Sequence, residues 1–281
     1  MQVIRFRLCP FPPHSTNTAF STDHIIPCGL NLPRFLKKYN YREPIDLTEQ
    51  DNYRDMTGGC GFFDACEADP KGLGTSFIGF MAGIANYKMD WTEVYNTNRI
   101  IDGADLEPDK PLFVDIGGGH GLDSSRLLAK HPTLPAGVVV LQDTPEVVAL
   151  LNENLDSRIV RQSYDFFTPQ PRLHARAYFF HAVPHDWPDA DCVRMFSQVK
   201  DAFKPGYSKL LIYEIMLPKK GATTVQTTID ILLMKVTSGM ERTEEQWRRL
   251  LGQAGFKIIG VSRHPTAVES VIEADLAQEA D

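Results

Sequence analysis

Seven consecutive residues, Asp115-Ile116-Gly117-Gly118-Gly119-His120-Gly121, constrain this chain more than any other stretch, and four of them are glycine. Glycine has no Cβ, so the run can turn sharply and leave its backbone open to a ligand. It follows the apolar tripeptide Leu112-Phe113-Val114 and precedes a helical pattern from Leu122 to Ala129. An apolar strand, a glycine turn and a helix are the opening unit of a parallel α/β sheet. In such sheets ligands sit at the carboxyl ends of the strands.

The rest of the C-terminal part repeats that texture. Val138 to Leu141 is a second apolar run, closing at Asp143, and Ala177 to Phe180 and Leu210 to Tyr213 are two more. Helical patterns from Glu146 to Asn154 and from Asp189 to Phe203 separate them. Continuous apolar strands alternating with helices predict a doubly wound, mostly parallel sheet covered on both faces. Phe256 to Val261 and Val268 to Ile272, joined through Pro265, predict an antiparallel hairpin at one end of it. This domain is expected over residues 108–281.

Residues 30–107 read as short helical pieces broken by Pro and Gly, near Leu32 to Tyr39, from Ser76 to Ile84, and from an N-cap at Asp90 through Trp91 and Val94. In the second piece Phe77, Phe80, Met81 and Ile84 form one apolar face. That face needs cover, from the rest of the chain or from a second copy. Residues 1–29, with Pro10, Pro12, Pro13 and Pro27, predict an irregular start.

Composition narrows the function. The chain has 281 residues, 43 % hydrophobic and 23 % charged, which is ordinary globular make-up. A net charge of -7 with no Lys/Arg-rich stretch argues against nucleic acid as a partner. No apolar run is long enough to span a membrane, and no secretory core is present. The five cysteines, Cys9, Cys28, Cys60, Cys66 and Cys192, are odd in number and form no CxxC pair. Reduced thiols, a cytoplasmic location and no metal site are the expectation.

The glycine loop fails the dinucleotide fingerprint. Counted from Gly117 the third glycine position is Leu122, and counted from Gly119 it is Ser124. A phosphate-cradling loop would need Lys-Ser or Lys-Thr where Leu122-Asp123 stands. What fits is acid-x-Gly-x-Gly-x-Gly, a loop of nucleoside-binding methyltransferases. Asp143 is then placed for two ribose hydroxyls, since a carboxylate accepts both at once. The plain alternative is a tight turn, with Asp143 capping the helix that begins at Pro145.

A second motif, His185-Asp186-Trp187-Pro188-Asp189, follows the strand Ala177 to Phe180. Read alone, His185 is a satisfied structural histidine as readily as a catalytic one. Asp189 reads as a helix N-cap, and Pro188 suits a turn before a helix.

Taken together, VDIGGGHG, LQDTPEVV, YDFFTPQP, HDWPD, LLIYEIMLP and GMERTEEQWRRLLGQAGF resemble the caffeic-acid type of small-molecule O-methyltransferases, and most of all the fungal branch. The resemblance covers residues 111–275 in order and extends weakly back to Leu32. It implies a class I, Rossmann-like methyltransferase fold with seven strands, and S-adenosylmethionine as cofactor. It also implies roles. Asp115, Gly117, Gly118 and Gly119 would line the methionine part, Asp143 would hold the ribose, and Asp165 and Phe166 would receive the adenine. His181, which stands where the family usually has Lys or Arg, would also bind the cofactor. His185 would be the general base, flanked by Glu214 and Glu241. Phe77, Phe80, Met81, Trp187 and Met234 would line an apolar acceptor pocket.

The chemistry supports those roles. A phenol with a pKa of about 10 facing a histidine of about 6.5 transfers its proton uphill by roughly 3.5 units, or about 5 kcal/mol. A nearby sulfonium favours the phenolate, and a carboxylate on the other ring nitrogen stabilises the imidazolium. Glu241 could instead pair with Arg242. Pro184 departs from the family by removing a backbone donor beside the base. The winged-helix dimerisation region of the family is expected to be largely missing, which weakens a homodimer. Two other functions stay open: a protein that binds the cofactor but is inactive, and a non-methylating pericyclase. Retention of His185 favours methyl transfer to a small-molecule acceptor.

Overall fold

The computed structural model describes residues 20–42, 51–85, 87–107, 109–151 and 155–277. Residues 1–19 of the expected irregular start, Cys9, and the end of the expected helix at residues 152–154 lie outside them. The sheet runs in the order β3-β2-β1-β4-β5-β8-β7. The strands are β1 (Phe113–Ile116), β2 (Val139–Asp143), β3 (Ile159–Ser163), β4 (Ala177–His181), β5 (Lys209–Leu217), β6 (Arg242–Thr243), β7 (Phe256–Arg263) and β8 (Glu269–Leu276). β1 to β5 are mutually parallel. β8 runs antiparallel to both β5 and β7, so the expected hairpin is present. β6 adds a two-residue parallel pairing on Met216 and Leu217 of β5.

Alternation along the strands splits the core into two layers. Val114, Ile116, Val140, Tyr178, Phe180, Leu210 and Ile212 pack on one face, against the later helices. Phe113, Val139, Leu141, Ala177, Phe179, Leu211 and Tyr213 pack on the other. Connections from β1 run to β2 and β3 on one side, then return to β4 on the other. The strand order therefore reverses between β1 and β4, and a crevice opens at their carboxyl ends.

The helices are α1 (Ile26–Lys38), α2 (Asn52–Thr57), α3 (Phe62–Ala68), α4 (Thr75–Ala85), α5 (Trp91–Val94), α6 (Asn98–Ile101), α7 (Leu122–Lys130), α8 (Pro145–Leu150), α9 (Asp189–Lys200), α10 (Thr224–Val236) and α11 (Glu244–Gln253). Residues 20–29 depart from expectation, because a turn of π-helix over Ser21–Ile25 leads straight into α1. Pro27 falls in the first turn of α1 and Pro33 inside it, so each withholds one backbone N–H from the run. β3 and α10 were not expected. β3 is an edge strand with only two apolar residues, Ile159 and Val160, which pack on opposite faces of the sheet. α10 opens with a capping box, Thr223 with Gln226, and α11 with another, Thr243 with Gln246. No described helix is long and apolar enough to cross a membrane.

The apolar face of α4 is covered only in part within the chain, since Met81 and Ile84 line an open cleft. Phe77 and Phe80 join a cluster around Phe20, Tyr53 and Phe62, with Phe80 and Phe20 ring centroids 4.9 Å apart. Asp90 stands at the N-cap of α5, but its side chain makes no capping bond and pairs with Arg126 at 2.7 Å instead. Trp91 ties this segment to the sheet. It is fully buried, stacks on Phe113 at 5.3 Å, and donates from its indole nitrogen to the Asp123 carbonyl at 3.2 Å. Trp91→Ala should therefore destabilise the fold by about 3–5 kcal/mol, the usual cost of deleting a buried aromatic, measured by denaturant unfolding. A loss below about 1 kcal/mol would mean that this segment is not anchored there.

Candidate active site

The glycine loop shapes the floor of the crevice. Gly117 has φ 71°, and a Cβ there would come within 2.6 Å of Val183. Gly119 also has positive φ, but a Cβ there would meet nothing, because the residue faces open space. Its N–H donates to Asp143 Oδ2 at 2.9 Å, and the Thr144 N–H donates to Oδ1 at 2.8 Å. Asp143 thus holds the loop and keeps a second lone pair on each oxygen; Thr144, not Asp143, takes the N-cap position of α8. Asp115 is buried behind the loop and accepts from Ser124 Oγ at 2.7 Å. Burial, with Asp123 nearby, pushes its carboxyl up to about 7.

Above the loop is a cleft of about 660 Å³. Asp115, Gly117, Gly118, Gly119, Asp143, Asp165, Phe166 and His181 all line it, as do Phe77, Met81 and Trp187. Two residues expected in the pocket do not. Phe80 turns to Phe20 on the far side of α4, because Phe77 and Met81 occupy the cleft-facing positions. Met234 is half-buried on α10, where Leu233 and Val236 provide the inward face, and it does not reach the cleft. Phe63 was not foreseen; its ring stacks on Trp187 with centroids 5.6 Å apart and planes 12° from parallel.

His185 is not among the residues that line this cleft; it sits behind them in a 3-10 turn spanning Pro184–Asp186. Its neighbours Asp186 and Trp187 line the cleft, and His185 is itself 7 % exposed. The side chain is held by two carboxylates. Nδ1 lies 3.0 Å from Glu241 Oε1 and 3.1 Å from Glu214 Oε2, while Glu214 Oε1 accepts the His185 N–H at 3.2 Å. Glu214 comes from β5, and Glu241 from the segment leading into β6, where its N–H donates to Asp230 at 2.8 Å. These three residues do come together. Their donor atoms lie within 4.8 Å of one another, a spacing that a divalent cation could also span. Burial by itself would lower the histidine pKa, but the carboxylates of Glu214, Glu241 and Asp186 outweigh it and raise it to about 10. Burial likewise pushes Glu214 up to about 7 and Asp186 up to about 6.

Arg242 does not pair with Glu241. Successive strand residues point to opposite sides, and Arg242 points under the turn. Its side chain is fully buried and donates to Pro184 O at 3.0 Å, Trp187 O at 2.7 Å and the Asp189 carboxylate at 2.9 Å. Asp189 is therefore an ion-pair partner inside the first turn of α9, and Pro188 is the N-cap. Pro184 opens the 3-10 turn, where an N–H would have no partner within the turn, and its carbonyl accepts from Arg242 and Cys192. The Met240 N–H donates to the His185 carbonyl at 2.9 Å, and a Cβ on Gly239 would strike that oxygen. Sequence alone could not single out Arg242, because no motif marks an arginine that holds two backbone carbonyls and a helix-start carboxylate together.

A second buried ionic group flanks the loop. His181 Nδ1 meets Asp123 at 2.5 Å, and Nε2 lies 3.4 Å from Glu269 Oε1, which also takes Lys88 Nζ at 2.5 Å. Burial opposes the charge on His181, but Asp123 and Glu269 raise its pKa to about 10; His181 and Lys88 in turn hold Glu269 down at about 2, against burial. The histidine contribution is complete below about 6.5 and lost as pH rises through about 10, while the carboxylate contribution is complete above about 4.5 and lost as pH falls through about 2. The stability gap between wild type and His181→Gln should be widest between about pH 4.5 and 6.5 and narrow toward alkaline pH. Thermal melts across pH check this; a gap that widens above pH 8 would contradict it.

A parallel sheet with antiparallel final strands, a glycine loop at the switch point and an acid closing β2 define a class I methyltransferase fold. Comparisons with known proteins agree. Residues 45–257 match the O-methyltransferase domain family, and the chain belongs to that family. It is 42 % identical over 246 residues to O-methyltransferase ATR12 of Stachybotrys chlorohalonatus (strain IBT 40285), covering 88 % of this chain and 61 % of that protein. It is 37 % identical over 257 residues to O-methyltransferase mfmE of Annulohypoxylon moriforme, covering 91 % and 62 %. The chain thus spans about three fifths of the length of these relatives. Among solved structures, OxaC in complex with sinefungin and meleagrin superposes with a TM-score of 0.83 at 27 % identity, covering 93 % of this chain and 67 % of that one. LepI in complex with SAM gives 0.82 at 26 %, covering 93 % and 66 %.

Proposed function

We propose that this protein transfers a methyl group from S-adenosylmethionine to a hydroxyl of a small aromatic or polyketide-like molecule, with His185 as general base. The observation that carries the reading is the clamp on Nδ1 of His185 by Glu214 and Glu241, beside a cleft floored by the glycine loop. The cofactor, when bound, supplies the methyl electrophile. Gly117, Gly118 and Gly119 offer it backbone, Asp143 the lone pairs for a ribose, and Asp165 and Phe166 a polar edge and a ring for the adenine. The walls formed by Phe63, Phe77, Met81 and Trp187 suit a flat, apolar acceptor.

The clamp has a chemical consequence. A histidine raised to about 10 matches a phenol of about 10, which removes the mismatch of roughly 3.5 units for an unperturbed imidazole. The same shift leaves the ring protonated at neutral pH in the free protein, so only its neutral fraction can accept a proton. A cationic cofactor beside the ring lowers the pKa again. The rate should therefore climb with pH through the neutral range. His185→Gln should lower turnover by about 10² to 10⁴ while leaving cofactor affinity nearly unchanged. Turnover is read by mass spectrometry on a phenol and polyketide panel. A variant that keeps most of its rate at pH 7 would make the histidine structural.

Asp143→Ala should weaken S-adenosylhomocysteine binding by at least about tenfold in calorimetry, through loss of a charged hydrogen-bond acceptor and a slackened loop. Equal affinity would place the ribose contact elsewhere. One observation favours a second reading: a structure described as a pericyclic reaction enzyme shares the fold, with a TM-score of 0.78 at 25 % identity. Conversion of a substrate without methylation, in the presence of cofactor, would establish that reading.

A further inference from the structure

Lys88 has no part in the chemistry above, yet its side chain is only 14 % exposed and lines the cleft. An unpaired buried ammonium is costly. Lys88 has one acidic partner, Glu269 Oε1 at 2.5 Å, and an ammonium has three N–H donors. The same oxygen lies 3.4 Å from His181 Nε2, so the two cationic nitrogens lie within about 6 Å of each other. The backbone beside Lys88 is fixed, because the Met89 carbonyl accepts from Tyr213 Oη on β5 at 2.7 Å.

The charge around the cleft is lopsided. Asp64, Glu67, Asp115, Asp123, Asp143, Glu146, Asp165 and Asp186 all line it. The basic residues among its described lining are Lys88, His181 and His120, and burial pushes His120 below its usual range. The strand order spreads these groups along one line. Asp165 follows β3, Asp143 ends β2, the glycine loop follows β1, His181 ends β4, and Glu269 opens β8. The cleft therefore runs from an end whose acids have no basic neighbour in the lining, across bare backbone, to an end where Lys88 and His181 balance Asp123 and Glu269. A nucleoside joined to an amino acid fits that gradient in one direction only, because the acidic end accepts hydroxyl and amine protons and repels a carboxylate.

We propose that Lys88, with His181, binds the α-carboxylate of the amino-acid end of the cofactor. This rests on the reading of the cleft as a cofactor site. Lys88 reaches that end from the segment after α4, so the helical region before the sheet contributes to cofactor binding directly. Glu269 holds both cations in place and limits the positive charge, so the arrangement can stay buried when empty.

Calorimetry on the full chain tests this with two ligands: S-adenosylhomocysteine, and its decarboxylated analogue, which lacks only the carboxylate. Lys88→Met should weaken the first by about 10- to 100-fold and change the second by less than about twofold. Lys88→Arg should recover part of the loss. Retained binding of the analogue shows that the variant is folded. The proposal is overturned if wild type binds both ligands equally, if Lys88→Met weakens both equally, or if it weakens neither. Wild type that binds neither ligand would instead sink the cofactor reading, and this proposal with it.

Discussion

The site depends on burying carboxylates at the carboxyl edge of a hydrophobic sheet. Asp115 on β1, Glu214 on β5 and Glu269 on β8 are each nearly inaccessible to water, and Asp123 and Glu241 join them from adjoining segments. A carboxylate taken out of water must be neutralised or paired. Here the compensation comes from His185, His181 and Lys88, all within the same rim. The reactive groups are therefore also the groups that make the rim foldable.

The two ionic groups solve this problem differently. Around His181 and Lys88, each acid has cationic partners, and Glu269 stays ionised to low pH. Around His185, two buried carboxylates share one imidazole, both reaching the same Nδ1. That shortage of positive charge raises the affinity of the whole group for a proton, seen in the upward shifts of His185 and Glu214. A balanced group gives a fixed electrostatic wall, whereas an under-compensated one gives a place for a proton to arrive. Arg242, which could have balanced the charge, is spent on the carbonyls of Pro184 and Trp187 and on Asp189.

Much of this was legible in one dimension. The apolar runs before Asp115 and Asp143 and the glycines between strand and helix act over a few residues, so local sequence reveals them. β3 was not legible, because an edge strand shows only weak alternation. Met234 and Phe80 were misplaced, because periodicity gives the apolar side of a helix but not which neighbour that side meets. Residues 20–29 became helical despite Pro27, since proline is tolerated in a first turn.

By itself the sequence determined the sheet, its doubly wound sense and the acids and glycines at its carboxyl edge, because hydrophobic period and backbone freedom are local properties. Resemblance to a family supplied the pairing of His185 with Glu214 and Glu241, which spacing could not, as these residues are 29 and 56 positions apart. Only the tertiary structure decided what those groups do to one another. It brought Lys88 across 181 positions to Glu269, turned Arg242 away from Glu241, and set the proton affinities of His181 and His185. The physical reason is that burial and Coulomb energy depend on distance in space, and folding brings distant residues together in surroundings of low dielectric.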